Sequence, residues 1–279
     1  MTSVDGRRVL FVHAHPDDES LTTGGTIARY AAEGAHVTVV TCTLGEEGEI
    51  IPDELDQLGA WAGDQLGGYR MGELSRAGEA LGWTEHRFLG GPGRWRDSGM
   101  VGTKANEHPR AFVRGSLDEQ VEQLLSVFEE LRPEVVVTYD SNGGYGHPDH
   151  IRAHEITTAA VRRAEGVRRL FHTVSSAEAT SRGLAALRRD ERVPFRVPAD
   201  EELPTTPDAD ITTRIDIADY REAKFAALRA HRTQVSVGPD CFALSNGIAQ
   251  PVPDTEFFVL VHGPSEDVET DLFGGLSRC

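Results

Sequence analysis

Near the start of the chain, Arg8-Val9-Leu10-Phe11-Val12-His13 is a nearly continuous apolar run, the pattern of a strand buried on both faces. Leu21 to Glu33 reads as a helix closed by Gly34, and His36 to Thr43 repeats the strand pattern through Val37, Val39 and Val40. That second strand leads into the acidic loop Gly45-Glu46-Glu47-Gly48-Glu49. Pro52 to Leu81 reads as a long helical region of mixed polarity that its glycines break into pieces, followed by a short strand at Arg87-Phe88-Leu89 and the loop Gly90-Gly91-Pro92-Gly93. Between Ser116 and Leu131, Leu117, Val121, Leu124, Leu125 and Phe128 recur at helical spacing, ended by Pro133. A strand from Glu134 to Tyr139, a loop from Asp140 to Gly146 and a helix starting near Pro148 follow.

Beyond about residue 175 the pattern weakens: Val197 to Ile211, rich in Asp, Pro and Thr, reads as an exposed loop or linker. A helix from Tyr220 to Arg232 and a strand from Glu256 to Val261 close the chain. Strands alternating with helices imply parallel pairing and right-handed crossovers. The expected fold class is α/β, a Rossmann-like doubly wound, mostly parallel sheet with a smaller C-terminal α/β portion. Residues 1–175 are expected to form the catalytic core, and 176–279 to complete the substrate pocket without being an independent domain.

Charge narrows the partners. With 28 Lys+Arg against 45 Asp+Glu the formal charge is −17, which repels a phosphate backbone, and the most basic stretch, Arg182 to Arg192, is interrupted by Asp190 and Glu191. A nucleic-acid partner is therefore not expected. No apolar run approaches the ~18 residues that span a bilayer, and the first residues carry no secretory signature. Cys42, Cys241 and Cys279 are scattered and odd in number, which suits a reducing cytoplasm and offers no cysteine metal site. A homo-oligomer is compatible with the sequence and not indicated by it.

Two loops concentrate the chemistry. His15-Pro16-Asp17-Asp18-Glu19 follows the first strand, and Gly143-Gly144-Tyr145-Gly146-His147-Pro148-Asp149-His150 follows the Val135-Val136-Val137 strand. In an open α/β sheet ligands bind beyond the carboxyl ends of the strands, so both loops face one edge. Imidazole and carboxylate together suit zinc, whose catalytic sites use three protein ligands and leave a fourth position for water. A single Asp after a strand is ordinarily a helix N-cap, but two adjacent acids preceded by His exceed that need. The second loop lacks the third glycine of a dinucleotide fingerprint, and no GxSxG elbow is present. An alternative ligand set of His147, His150 and His154 leaves Asp17 and Asp18 unexplained. His13 reads as packing or support, and His36, His86, His108, His172, His231 and His262 as surface or satisfied histidines.

With these residues in place, the chain resembles the zinc-dependent deacetylases of the PIG-L/LmbE superfamily, marked by Ala14-His15-Pro16-Asp17-Asp18-Glu19 and by His147-Pro148-Asp149-His150. The match is closer still to the branch acting in mycothiol biosynthesis, through residues 41–49, 65–70, 93–100, 139–150, 233–235 and 243–246. It covers most of residues 7–160 and about 218–279, whereas 165–215 match poorly. The resemblance implies hydrolysis of the N-acetyl group of N-acetylglucosaminyl-inositol to glucosaminyl-inositol and acetate. The alternatives are a mycothiol S-conjugate amidase, a deacetylase of another N-acetylglucosamine conjugate, and a non-catalytic sugar-binding module. Paralogous amidases carry Lys just after the first motif, where this chain has Ser20.

On this resemblance His15, Asp18 and His150 are expected to hold one Zn2+, with Fe2+ also compatible, and Asp17 to act as general base. His147, if protonated, and Tyr145 are expected to stabilise the oxyanion. Asp149 either orients an imidazole or caps the following helix. Arg70 and Asp97, with Glu47 and Gln234, are the expected partners of substrate hydroxyls.

Overall fold

The central strands must bury side chains on both faces, because helices cover both sides of a parallel sheet, and their apolar runs meet that demand. The computed structural model describes residues 6–265 and 269–276. The reading of the first five residues and of Cys279 lies outside the described residues. In chain order the elements are β1 (Arg8–His13), α1 (Asp18–Thr22), α2 (Gly24–Ala32), β2 (His36–Thr41), α3 (Leu66–Leu81), β3 (Glu85–Phe88), α4 (Leu117–Leu131), β4 (Val135–Tyr139) and the short turn α5 (Gly143–Gly146). They continue with α6 (Pro148–Arg163), β5 (Arg169–Val174), α7 (Ala177–Leu187), β6 (Thr213–Asp216), α8 (Arg221–Ala230), β7 (Ser236–Gly238), β8 (Cys241–Ala243), β9 (Gln250–Pro251) and β10 (Thr255–His262).

A 7-stranded sheet runs in the order β3-β2-β1-β4-β5-β10-β6. The pairings from β3 to β5 are parallel, and β10 joins antiparallel to both β5 and β6. The sheet is thus mostly parallel and α/β, as the alternation of elements predicts. β1 shows the doubly wound arrangement residue by residue. Val9 and Phe11 pack on one face with Ile27 of α2, Leu81 of α3 and Ala227 of α8, while Leu10 and Val12 pack on the other with Leu124 and Phe128 of α4 and Ile156 of α6. A second, 3-stranded sheet of β7, β8 and β9 lies in the C-terminal region.

Several boundaries differ from the reading of the sequence. The first helix starts at Asp18 rather than Leu21 and is interrupted at Thr23, whose N–H closes α1 on the Glu19 carbonyl before α2 begins at Gly24. The region 52–81 divides into a 3-10 turn, Asp53–Leu58, and the helix α3, which stops where Gly82 takes φ 75°. The third strand is Glu85–Phe88 rather than 87–89. Cys42 and Cys241 are free and buried. Among the described residues no helix is long and apolar enough to cross a membrane.

Because β1, β2, β4 and β5 are parallel, their C-terminal residues His13, Thr41, Tyr139 and Val174 reach one edge of the sheet. The loops that carry His15 and His150 start there.

Candidate functional site

Asp18 and His15 are set by the turn that begins α1: the Asp18 Oδ2 accepts the His15 N–H at 2.8 Å. His150 stands on the first turn of α6, where Pro148 suits the helix start. The three side chains meet closely. His15 Nδ1 and Asp18 Oδ2 are 3.3 Å apart, His150 Nε2 and Asp18 Oδ2 3.4 Å, and the two imidazole nitrogens 3.3 Å. A tetrahedral ion bonded to N and O donors at about 2.0–2.1 Å spaces its ligands about 3.3–3.4 Å apart. The triangle therefore has the dimensions of one face of such a coordination shell.

The outer nitrogens fix the tautomers. His150 Nδ1 donates to the Gly143 carbonyl at 3.1 Å, and His15 Nε2 faces the Asp149 Oδ2 at 3.2 Å and the Asp97 Oδ1 at 3.5 Å. Each imidazole so held can turn an unprotonated nitrogen toward the shared centre. His147 lies beside them, its ring centroid 4.6 Å from that of His15 and 5.1 Å from that of His150. His15, His147 and His150 form one buried group that could hold a metal ion, and His15, Asp97 and Asp149 another. Asp18, closer to both His15 and His150 than the spacing of those groups requires, completes the smaller triangle.

Electrostatics divide the two adjacent aspartates. Burial alone would raise both carboxyls. Asp18, facing His150 and His15, is nevertheless held well below the usual carboxylate range. Asp17 is raised to about 6 by burial, partly offset by Arg70 and reinforced by Asp18. Burial would lower His15, but Asp97, Asp149 and Asp18 outweigh it and hold its proton well above the ordinary histidine range; a cation in the site would take that proton's place. His147 is pushed down to about 3 by burial and then by His15 and His150.

The other expected residues divide. Asp149 is fully buried against His15 and also accepts the Ser98 N–H at 2.9 Å, whereas the cap of α6 is the His147 side chain, whose Nδ1 accepts the Asp149 N–H at 3.1 Å. Tyr145, 53% exposed, stands at the rim with its ring 5.0 Å from that of His150. Arg70 is 2% exposed; it donates to the Gly45 carbonyl at 2.7 Å and to the Pro16 carbonyl, and lies 3.2 Å from Asp17 Oδ1. The Glu47 carboxylate is tied to Arg96 at 2.7 Å and Gln234 donates to Thr233 at 3.3 Å. Arg70 and Asp97 thus stand against the His-Asp cluster, while Glu47 and Gln234 are engaged beside it. His154, of the alternative ligand set, donates instead toward the Tyr139 carbonyl at 3.0 Å.

The sequence places Tyr139 at a strand end and in a resembling segment but gives it no role at the site. Its hydroxyl accepts the Ala14 N–H at 2.8 Å and its ring stacks on His150 at 4.2 Å and 17°. The available signal was its position as the last residue of a strand ending at the site. A cavity of about 430 Å³ opens from Asp18, Tyr145 and His150 and is walled by α7, the loop at 202–206 and residues 242–257.

A Rossmann-like sheet with a buried His/Asp cluster at its carboxyl edge, able to hold a cation and bearing a second carboxylate beside it, has the makings of a hydrolase site. The family model described as PIG-L, GlcNAc-PI de-N-acetylase, matches residues 10–161, and the chain belongs to that family. A relative from Saccharomonospora viridis, 1D-myo-inositol 2-acetamido-2-deoxy-alpha-D-glucopyranoside deacetylase, is 84% identical, with 96% of this chain and 100% of the relative covered. One of the same name from Actinosynnema mirum is 63% identical, with 99% of each covered. Among solved structures, the N,N'-diacetylchitobiose deacetylase from Pyrococcus horikoshii shares the fold at a TM-score of 0.56 and 20% identity, over 82% of this chain and 71% of that one.

Proposed function

We propose that the protein is a zinc-dependent deacetylase that hydrolyses the N-acetyl group of N-acetylglucosaminyl-inositol, releasing glucosaminyl-inositol and acetate in mycothiol biosynthesis. The observation that carries the chemistry is the triangle of His15 Nδ1, Asp18 Oδ2 and His150 Nε2, with sides of 3.3–3.4 Å, beside a second carboxylate, Asp17, that faces Arg70. The choice of substrate rests on the names of relatives that match along the whole chain. The donor set suits Zn2+ and also accommodates Fe2+. When bound, the metal supplies Lewis acidity toward the acetyl carbonyl and makes a water nucleophilic at neutral pH.

The chain's own groups then move protons and hold charge. Asp17, ionised at neutral pH, accepts a proton from the attacking water as the new C–O bond forms. As the C–N bond breaks, the proton passes to the departing amine, and acetate and the free amine leave. His147 acts as a neutral donor: Nδ1 already accepts the Asp149 N–H, so the proton resides on Nε2, free to face the carbonyl oxygen. This replaces the protonated His147 of the sequence reading, because burial first, and then His15 and His150, push the imidazole down to about 3. Tyr145 closes the rim beside it. Residues beyond 175, which wall the cavity through α7 and 242–257, complete the pocket for the amine side of the substrate.

The test is acetate release from N-acetylglucosaminyl-inositol, free N-acetylglucosamine and a mycothiol S-conjugate, with metal analysis of the same sample. Fastest release from the inositol glycoside is expected. Faster cleavage of the conjugate would make the protein an amidase.

A further inference from the structure

Asp17 holds a backbone conformation that residues with a side chain rarely adopt, with φ 131° and ψ −32°. Such a conformation persists only where the surroundings over-determine it. Here three sets of contacts converge on it. Its carbonyl accepts the N–H groups of Ser20 and Leu21, both at 2.9 Å. Arg70, from α3, donates to the Pro16 carbonyl and faces the Asp17 carboxylate. The Asp17 N–H donates to Glu19 Oε2 at 3.0 Å.

Glu19 cannot hold that N–H unless it is itself held. Its other oxygen accepts from Ser20 Oγ at 2.5 Å and from His231 Nε2 at 2.8 Å, with both side chains of the His231 pair at 0% exposure. His231 ends α8, 212 residues further along the chain. The turn it opens is pinned in turn to α3: Thr233 donates through its N–H and hydroxyl to Glu73 at 2.9 and 2.6 Å. The helix carrying Arg70 and the end of α8 therefore grip the Asp17 loop from two sides.

We propose that His231 is a positioning residue: by fixing Glu19 it fixes the strained Asp17 backbone, and so aims the carboxylate that moves the proton. This rests on the reading of Asp17 as the general base. Asp18 is oriented separately, by the His15 N–H and the two imidazoles. Loss of His231 should therefore disturb proton transfer without emptying the metal site.

The experiment compares zinc-loaded unsubstituted protein with His231→Ala and His231→Gln, the second of which keeps an N–H donor for Glu19. Supporting residues of this kind typically contribute about 10–100-fold. His231→Ala is expected to lower kcat by roughly that factor, with KM and zinc per chain unchanged, and His231→Gln to recover most of the loss. Unchanged kcat in His231→Ala, zinc loss in proportion to activity, or a folded His231→Gln as slow as the alanine variant would each overturn the role. Should His231→Ala not fold, Glu19→Gln replaces it: a selective fall in kcat supports the role and an unchanged kcat overturns it. Acetate release by the unsubstituted protein tests the underlying reading separately, because its absence overturns deacetylation itself, whereas release unaffected in His231→Ala overturns the positioning role alone.

Discussion

Asp17 and Asp18 share a residue type and a loop, yet their surroundings give them different work. Asp18 faces two imidazoles that keep it ionised far into acid, as a ligand must be; Asp17 has Arg70 as its nearest countercharge and lies near 6, where a carboxylate can both take and return a proton. Asp18→Ala is therefore expected to lose metal and activity together. Asp17→Ala should keep its metal and lose about 100-fold or more in turnover, the usual contribution of a positioned acid-base group. Metal per chain by elemental analysis beside acetate release separates the two, and the opposite pattern would exchange the roles. His147 makes a different contribution. On the proposed mechanism its Nε2–H donates to developing negative charge, and removing one such donor costs about 2.7–4 kcal/mol of barrier. His147→Ala is thus expected to turn over about a hundred to a thousand times more slowly with zinc content intact, measured as kcat on the loaded protein.

At the scale of elements, close contacts decide what each helix and strand tolerates. α2 approaches the segment after β6 so tightly that a Cβ on Gly25 would lie 2.4 Å from Ile217 Cδ1. Gly25→Ala should therefore destabilise by about 1–3 kcal/mol, the usual range for overpacking, read as a shift in the urea midpoint. β3 carries a pH effect. Burial pushes His86 down to about 4, while in the unfolded chain it titrates near 6.5. Between those values the unfolded state binds the extra proton, so stability should fall as pH drops from about 6.5 toward 4; His13 and His172, also lowered to about 4, add to the slope, and His86→Gln should make that part of the profile of unfolding free energy less steep. The same elements show what a sequence reveals. β1, β2 and β4 are legible because burial on both faces forces apolar runs, and α4 because one face packs and one does not. β5 escapes because Arg169 is buried within it, matched by Glu269 at 2.6 Å from a segment 100 residues away, so the pattern shows a charge where the fold has core. His15, Asp18 and His150 stand out because both loops bring metal-binding residue types to strand ends. Tyr139 is marked only by its place at a strand end, and His231 by nothing local, since its partner Glu19 is 212 residues away.

For the molecule as a whole, the acidic side chains Asp17, Asp18, Asp97 and Asp149 converge in one buried volume, and a cation held there would offset their repulsion. Anything that binds the folded state alone stabilises it, by about 2.7 kcal/mol at 100 times Kd. Chelation should therefore lower Tm as well as abolish activity, and zinc should restore both; a Tm indifferent to chelator would argue against a cation held by the folded site. A second long-range tie joins the two ends of the fold. Lys224 of α8 lies 2.6 Å from Glu256 of β10, both nearly inaccessible, and Glu256 also accepts the N–H groups of Gly25 and Thr26 at the start of α2 at 2.9 and 2.8 Å. One carboxylate thus links α8, α2 and the antiparallel strand beside β5. A buried ion pair adds little over an apolar replacement of both partners, but removing one partner strands the other charge, at about 3–5 kcal/mol. Lys224→Met should show that loss in urea unfolding, because the methionine fills the space without meeting Glu256. The change should reach the cavity too, since Lys224 and Glu256 both line it beside Asp18. A midpoint equal to that of the unsubstituted chain would mean that the two backbone N–H groups alone suffice to hold Glu256.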